Sequence, residues 1–278
     1  MAFTSWTFAV FVLAAAAVYY LVPKAAQWMV LLAASFGFYL AGGRNTIWYL
    51  LFTILTTYAA GLLLGRLNQK RAVLAKGAEQ DSLRRKKKLV VFLAVLANFG
   101  ILVLTKYGGL LASRLGPALG GGLLTVEPVL PLGLSFFIFQ SIGYVVDCCR
   151  GKYPPERSLA KFALFVSFFP QMVQGPISRF DSLGPQLTSR RAFDADKVKY
   201  GIQLVMWGYF KKLVISDRAG VIADTVFGGY TQYHGTLLAA GVFFYCIQLY
   251  CDFSGGIDIA RGVAQVFGIE LAENFRRP

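Results

Sequence analysis

Charged side chains are missing from long runs of this chain, and that spacing constrains its fold more than any other feature. Only Lys24 and Arg44 interrupt the first 65 residues, leaving uncharged stretches at 1–23, 25–43 and 45–65. A bilayer core is crossed by about 20 apolar residues in helical form. Further uncharged runs cover 89–105, 128–146, 162–178 and 225–251, the last broken by His234 and by Gly228 and Gly229. The pattern predicts five spans and two or three interrupted segments. Nothing basic precedes Lys24, so 6–22 reads as a retained span rather than a secretory signal. Charged residues make up 15% of the chain against about 25% in soluble domains, which argues against an ordinary soluble fold.

The net charge of +14 is concentrated in one place. Residues 66–88 carry nine Lys/Arg against Glu79 and Asp81, half of the whole excess. A basic loop of this kind between spans is expected to face the cytoplasm, with anionic membrane lipids as its partner. No aromatic interleaving or nucleic-acid motif accompanies it, so no nucleic-acid partner is expected. With 66–88 inside, three spans precede it and the N-terminus lies outside. The fourth span then delivers the Gly-rich segment 107–127 to the outside, and the fifth returns to a second basic loop at 147–161.

From residue 128 the apolar segments carry prolines, glycines and polar groups. In 130–151, Gln140 and Tyr144 share a helical face at i, i+4. Polar atoms at membrane depth need partners, and these serve either interhelical hydrogen bonding or a tunnel wall. Within 162–180, Pro170 and the pair Gly175-Pro176 break the helix, which predicts either a re-entrant or oblique element or a plain helix-loop boundary. In 200–218, Lys211 and Lys212 follow Trp207, Tyr209 and Phe210, a headgroup-level pattern on an amphipathic or half-inserted helix. Asp252 ends the longest uncharged run. A carboxylate in a bilayer costs about 2.5–3.5 kcal/mol at the centre, so Asp252 reads either as a tunnel or ion-pair residue or as an interfacial cap. Gly255-Gly256 is expected to break the helix after it.

Several motifs reduce to structure. Asp194-Ala195-Asp196 has the form of a sugar-transferase DxD but reads more simply as the N-cap of a helix beginning near Lys197. Gly61 and Gly65 form a GxxxG pair suited to helix packing. Cys148, Cys149, Cys246 and Cys251 show neither a CxxC pair nor a metal spacing, so no metal site is expected.

The segments 130–152 (LPLGLSFFIFQSIGYVVDCCRGK), 167–180 (SFFPQMVQGPISRF), 248–271 (QLYCDFSGGIDIARGVAQVFGIEL) and 273–278 (ENFRRP) resemble the membrane-bound O-acyltransferase family, in particular its bacterial alginate O-acetyltransferase and D-alanyl-transfer branch. The resemblance implies an all-α, polytopic transmembrane bundle with broken or re-entrant helices, here a single membrane domain over 1–278, in a bacterial cytoplasmic membrane. It implies transfer of an acyl group through a tunnel to a hydroxyl of a polysaccharide or teichoic-acid-like acceptor. The donor would be an acyl thioester or other activated acyl group, presented free or on an acyl-carrier protein, with cell-envelope acyl-transfer partner proteins and no bound cofactor. The family's presumed general base is a histidine downstream of the ENFRRP-like motif. His234, the single histidine, stands outside that context and reads as an interfacial loop residue. The chain is therefore expected to be the N-terminal part of a longer enzyme, with no catalytic residue assigned and no activity alone. Gln140, Gln174, Gly175, Pro176, Arg179, Asp252 and Ser254 match motif positions as tunnel or substrate-region candidates. The competing expectation is a non-catalytic transporter or a scaffold of a polymer-export complex.

Overall fold

A computed structural model describes residues 3–73, 78–115 and 131–274. The elements it describes are helices: α1 (Trp6–Leu21), α2 (Gln27–Gly42), α3 (Ile47–Val73), α4 (Ala78–Leu115), α5 (Leu134–Arg150), α6 (Leu159–Ser167), α7 (Phe169–Met172), α8 (Phe180–Thr188), α9 (Ala195–Tyr209), α10 (Asp217–Gly228) and α11 (Thr236–Val266). A π-helical segment, Phe210–Ser216, joins α9 to α10. The all-α expectation holds, and the chain gathers into two compact units interleaved in sequence.

Charge spacing located the apolar blocks but misjudged helix lengths. Among the described residues, three helices are long and apolar enough to cross a membrane: Ile47–Lys70, Glu79–Gly108 and Thr236–Val266. α1 and α2 are apolar but have 16 residues each, because Ser5 and Pro23 bracket the first and the residues after Gly42 turn away from the helix. The fifth expected span begins only at Leu134, since Gly133 takes a left-handed φ of 68° just before it. The longest uncharged run, 225–251, is broken where expected: α10 ends at Gly228, Gly229 and His234 lie in the turn that follows, and α11 starts at Thr236. The basic stretch 66–88 is helical rather than a loop. α3 continues to Val73 and α4 starts at Ala78, with 74–77 outside the described residues. Most of the predicted external segment 107–127 and the last four residues of ENFRRP also fall outside them.

One unit comprises Leu31–Met172 and Ile177–Ser189. Here α3 packs on α4, α5 and α6, and α6 on α8. The GxxxG pair does what its spacing predicts: a Cβ at Gly61 would lie 2.7 Å from the Tyr144 ring, and Gly65 is covered by the ring of Pro155. Tyr144 is the hub of an aromatic cluster with Tyr153, Phe162 and Phe180. The segment 162–180 is broken as expected, into α6, the single turn α7 and the start of α8, with Phe168 separating the first two.

The other unit comprises Met1–Val30, Val173–Pro176 and Arg190–Pro278. Its centre is α11, against which α9, the π-helical segment and α10 all pack. α9 starts as the sequence predicts: the Asp194 carboxylate accepts from the backbone N–H of Asp196 at 3.1 Å and of Lys197 at 3.2 Å. α1 joins through Tyr20, whose hydroxyl donates to the Val266 carbonyl at 2.7 Å.

Candidate functional site

The candidates fall into two groups, one in each unit. In the unit built on α11, the organising feature is close approach of backbones. Gly201 and Gly208 on α9 face Gly262 and Gly255 on α11. A Cβ at Gly208 would stand 2.6 Å from the Gly255 carbonyl, and one at Gly255 2.8 Å from the Gly208 carbonyl. Both pairs are seven residues apart, so one glycine seam carries the antiparallel contact, the small-residue packing that membrane helices use where no hydrophobic force separates helix from lipid. This corrects the expected break at Gly255-Gly256. α11 runs through both residues, because α9 packs against Gly255 and the Gln174 side chain fills the space at Gly256.

The seam ends where the helix widens into its π-helical segment, a geometry that recurs at functional sites. Here Lys211 and Lys212 turn to α11. Lys211 pairs with Asp258 at 2.5 Å, and Lys212 pairs with Asp252. Six residues of helix place the two carboxylates about 120° apart, and consecutive lysines diverge comparably. Asp258 also meets Arg261 at 3.5 Å, and Arg261 reaches Glu273 at 3.5 Å.

Asp252 has a second partner. The Gln174 amide donates to its free oxygen at 3.4 Å. Gly256 makes this possible, since a Cβ there would collide with the Gln174 carboxamide. Gly175 and Pro176 are buried beside Gln174, and Ser254 is buried with a hydroxyl that has no hydrogen-bond partner among the described residues. Five of the seven candidates therefore lie in this unit, of which Gln174 and Asp252 touch.

In the other unit Gln140 and Arg179 line one cavity of about 360 Å³ together with Tyr144, Asp147, Arg150 and Ser178. Gln140 is fully engaged: its amide donates to the Phe165 carbonyl at 2.9 Å, and its carbonyl accepts from Gln171 at 2.7 Å. The interhelical hydrogen bonding expected of it is present, and it also borders the cavity. Arg179, expected only as a tunnel or substrate-region candidate, pairs with Asp147 at 3.5 Å, an exposed guanidinium against a buried carboxylate. Outside the cavity, Lys152 pairs with Asp181 and holds its carboxyl below the usual carboxylate range.

Asp147 and Asp258 were not among the residues the motifs pointed to, and the partners of Lys211 and Lys212 were not foreseen. Asp147 was legible, since Gln140, Tyr144 and Asp147 follow one another at i, i+4 and i+7 on one helical face. The lysine partners were not, because pairing across 40 or more residues leaves no periodic trace. His234 is exposed in the turn before α11. All four cysteines are free. Among the described residues no group of three metal-ligating side chains converges.

No family model matches the chain. Curated relatives do. The chain is 33% identical over 277 residues to the probable alginate O-acetylase AlgI of Azotobacter vinelandii, covering 94% of this chain and 50% of the relative. It is 31% identical over 218 residues to the peptidoglycan O-acetyltransferase of Helicobacter pylori, covering 69% and 41%. It is 27% identical over 151 residues to the teichoic acid D-alanyltransferase of Bacillus subtilis, covering 53% and 38%. The chain thus spans half or less of the length of these relatives.

Proposed function

We propose that this chain, which belongs to the membrane-bound O-acyltransferase family, forms part of an enzyme that moves an acyl group, most simply acetyl, to a hydroxyl of an extracytoplasmic polysaccharide or cell-wall polymer. The observation that carries the reading is the 33% identity sustained over 277 residues to an alginate O-acetylase. The donor in this reading is a cytosolic activated acyl group such as a thioester, and the protein crosses the bacterial cytoplasmic membrane several times. The acceptor oxygen adds to the acyl carbonyl, the C–S bond breaks, an ester C–O bond forms, and the hydroxyl proton ends on the departing thiol. A general base must take that proton first, and no described residue is assigned to the task.

The roles left to this chain are positioning ones. Gln174 and Lys212 hold Asp252 from two sides, which gives a carboxylate at membrane depth defined partners instead of lipid. Arg179, exposed at the cavity that Gln140 borders, is placed to meet an anionic part of the donor. In a host deleted for its own polymer O-acetylase, expression of the full-length gene that contains this sequence should restore alkali-labile acyl esters on the envelope polymer. Asp252→Leu, at matched membrane levels, should lower them at least tenfold. Wild-type membrane levels with no ester gained would overturn the reading.

A further inference from the structure

In the α11 unit an apolar groove runs between α1 and α9. Its volume is about 640 Å³, and it is walled by Val12, Ala16, Ala17, Ile202, Val205 and their neighbours, with scarcely a polar atom. From Phe8 to Leu21 it follows α1 for about 20 Å at 1.5 Å per residue, more than the roughly 15 Å depth of one leaflet's hydrocarbon. At the C-terminal end of α1 it meets a second cavity of different chemistry. That cavity, about 500 Å³, is lined by Arg190, Arg191, Lys197, Asp194 and Gly268, and it shares Tyr20 and Phe193 with the groove. These two rings stand edge to face, 5.2 Å apart, at the junction.

The charges at this mouth are unevenly used. The Asp194 carboxylate caps α9, and Lys197 pairs with Glu270 at 3.2 Å. Arg190 has no ion pair among the described residues. Arg191 is held in place through its backbone, which exchanges hydrogen bonds with the Gln27 side chain at 2.9 and 3.0 Å. Its guanidinium Nε is buried without a hydrogen-bond partner among the described residues, although a buried donor left unsatisfied costs about 1–3 kcal/mol. An arginine fixed through its backbone, with a buried Nε that has no partner among the described residues, at the end of a leaflet-deep apolar groove asks for an anion with a hydrocarbon tail.

We propose that this groove binds one anionic glycerophospholipid, its phosphate on Arg190 and Arg191 and an acyl chain between α1 and α9. Aromatic residues at the headgroup boundary and a basic cluster at the end of helices are the elements that bind acidic lipid heads in preference to neutral ones. The topology expected from the basic stretch 66–88 puts the C-terminal end of α1 on the cytoplasmic side, where positively charged segments face acidic lipid. The site is separate from the Asp252 cluster and does not depend on acyl transfer.

The test uses the full chain in nanodiscs containing phosphatidylcholine and a minor fraction of phosphatidylglycerol that carries a photoactivatable group in its acyl chain. Adducts should map to α1 and α9, and their yield should exceed that of a phosphatidylcholine probe. Arg190→Gln and Arg191→Gln should each lower phosphatidylglycerol adducts about five-fold, the equivalent of roughly 1 kcal/mol per basic side chain at a lipid surface. Arg191→Lys should retain most of the yield, and Ala17→Trp should fill the groove and abolish adducts there. Lys86→Gln, in the other basic cluster, should leave them unchanged. Equal yields for the two lipids, adducts away from α1 and α9, or an equal loss with Lys86→Gln would overturn the proposal. So would adducts unaffected by Ala17→Trp, which would mean that the lipid binds outside the groove.

Discussion

At the scale of the residue, the two lysine–aspartate pairs on α11 differ in burial, and burial sets what each is worth. Lys211 and Asp258 are each 13% exposed at the side chain, whereas Lys212 and Asp252 are 23% and 40% exposed. Stranding one charge of a buried pair costs about 3–5 kcal/mol; water near the Asp252 pair reduces that to about 1–3 kcal/mol. Asp258→Leu strands Lys211, while Arg261 keeps Glu273, and should be the most damaging single change in the unit. Lys211→Met leaves Asp258 with Arg261 and should cost less. Both orders are read by thermal unfolding of the detergent-solubilised chain. For Asp252, both Asn and Leu should lower acyl transfer, Leu the more, because Asn still accepts from Gln174. Lys212→Met combined with Asp252→Leu should recover folded yield relative to either single change, since an apolar pair leaves no uncompensated charge. Equal yields in all three variants would assign Asp252 to an exposed interfacial position. The sequence exposed Asp252 as an anomaly but concealed its partner, because an ion pair across 40 residues is set by tertiary contact alone.

At the scale of the element, the four glycines of the α9–α11 seam separate packing from positioning. Gly255→Val would force a branched side chain against the Gly208 carbonyl at a distance no Cβ tolerates. Overpacking of this kind costs about 1–3 kcal/mol, and it should show as a lower midpoint of thermal unfolding and protease access to α9. Gly256→Ala meets only the mobile end of Gln174. It should leave the unfolding midpoint within error while displacing Gln174 from Asp252, so acyl transfer falls without a loss of stability. A large drop in the midpoint for Gly256→Ala would show that Gln174 has no room to move. On α8, the depressed Asp181 carboxyl gives pH dependence a definite sign. Its folded value lies below the unfolded value of about 3.9, so the Lys152 pairing contributes stability above that value and loses it as pH falls through the lower one. The pair is largely exposed, and the effect should be small. Amide exchange in α8 should be faster in Lys152→Met than in wild type near neutrality, with the two converging in strong acid.

At the scale of the whole molecule, α4 offers a direct test of orientation. Ser82 and Ser113 lie on this one helix, separated by 31 residues and so by about 46 Å, enough to place them on opposite sides of a bilayer core of about 30 Å. In a background free of cysteine, Ser113→Cys should react with an impermeant thiol reagent added to intact cells, and Ser82→Cys should react only after permeabilisation. The reverse pattern would invert the topology. By itself the sequence determined that the chain is built of apolar helices, where those helices fall, and which points break the pattern, because uncharged length, proline and glycine act locally and are read within a few residues. It also carried the family, through motifs that survive as contiguous strings. Only the tertiary structure decided that Gly255 and Gly256 continue a helix and that Lys211 and Lys212 face carboxylates. The same holds for Arg179, which belongs to Asp147. In each case a residue's local preference was overruled by a partner distant in sequence, since a glycine or a charge takes its meaning from whatever backbone or counter-charge the fold brings within a few ångströms.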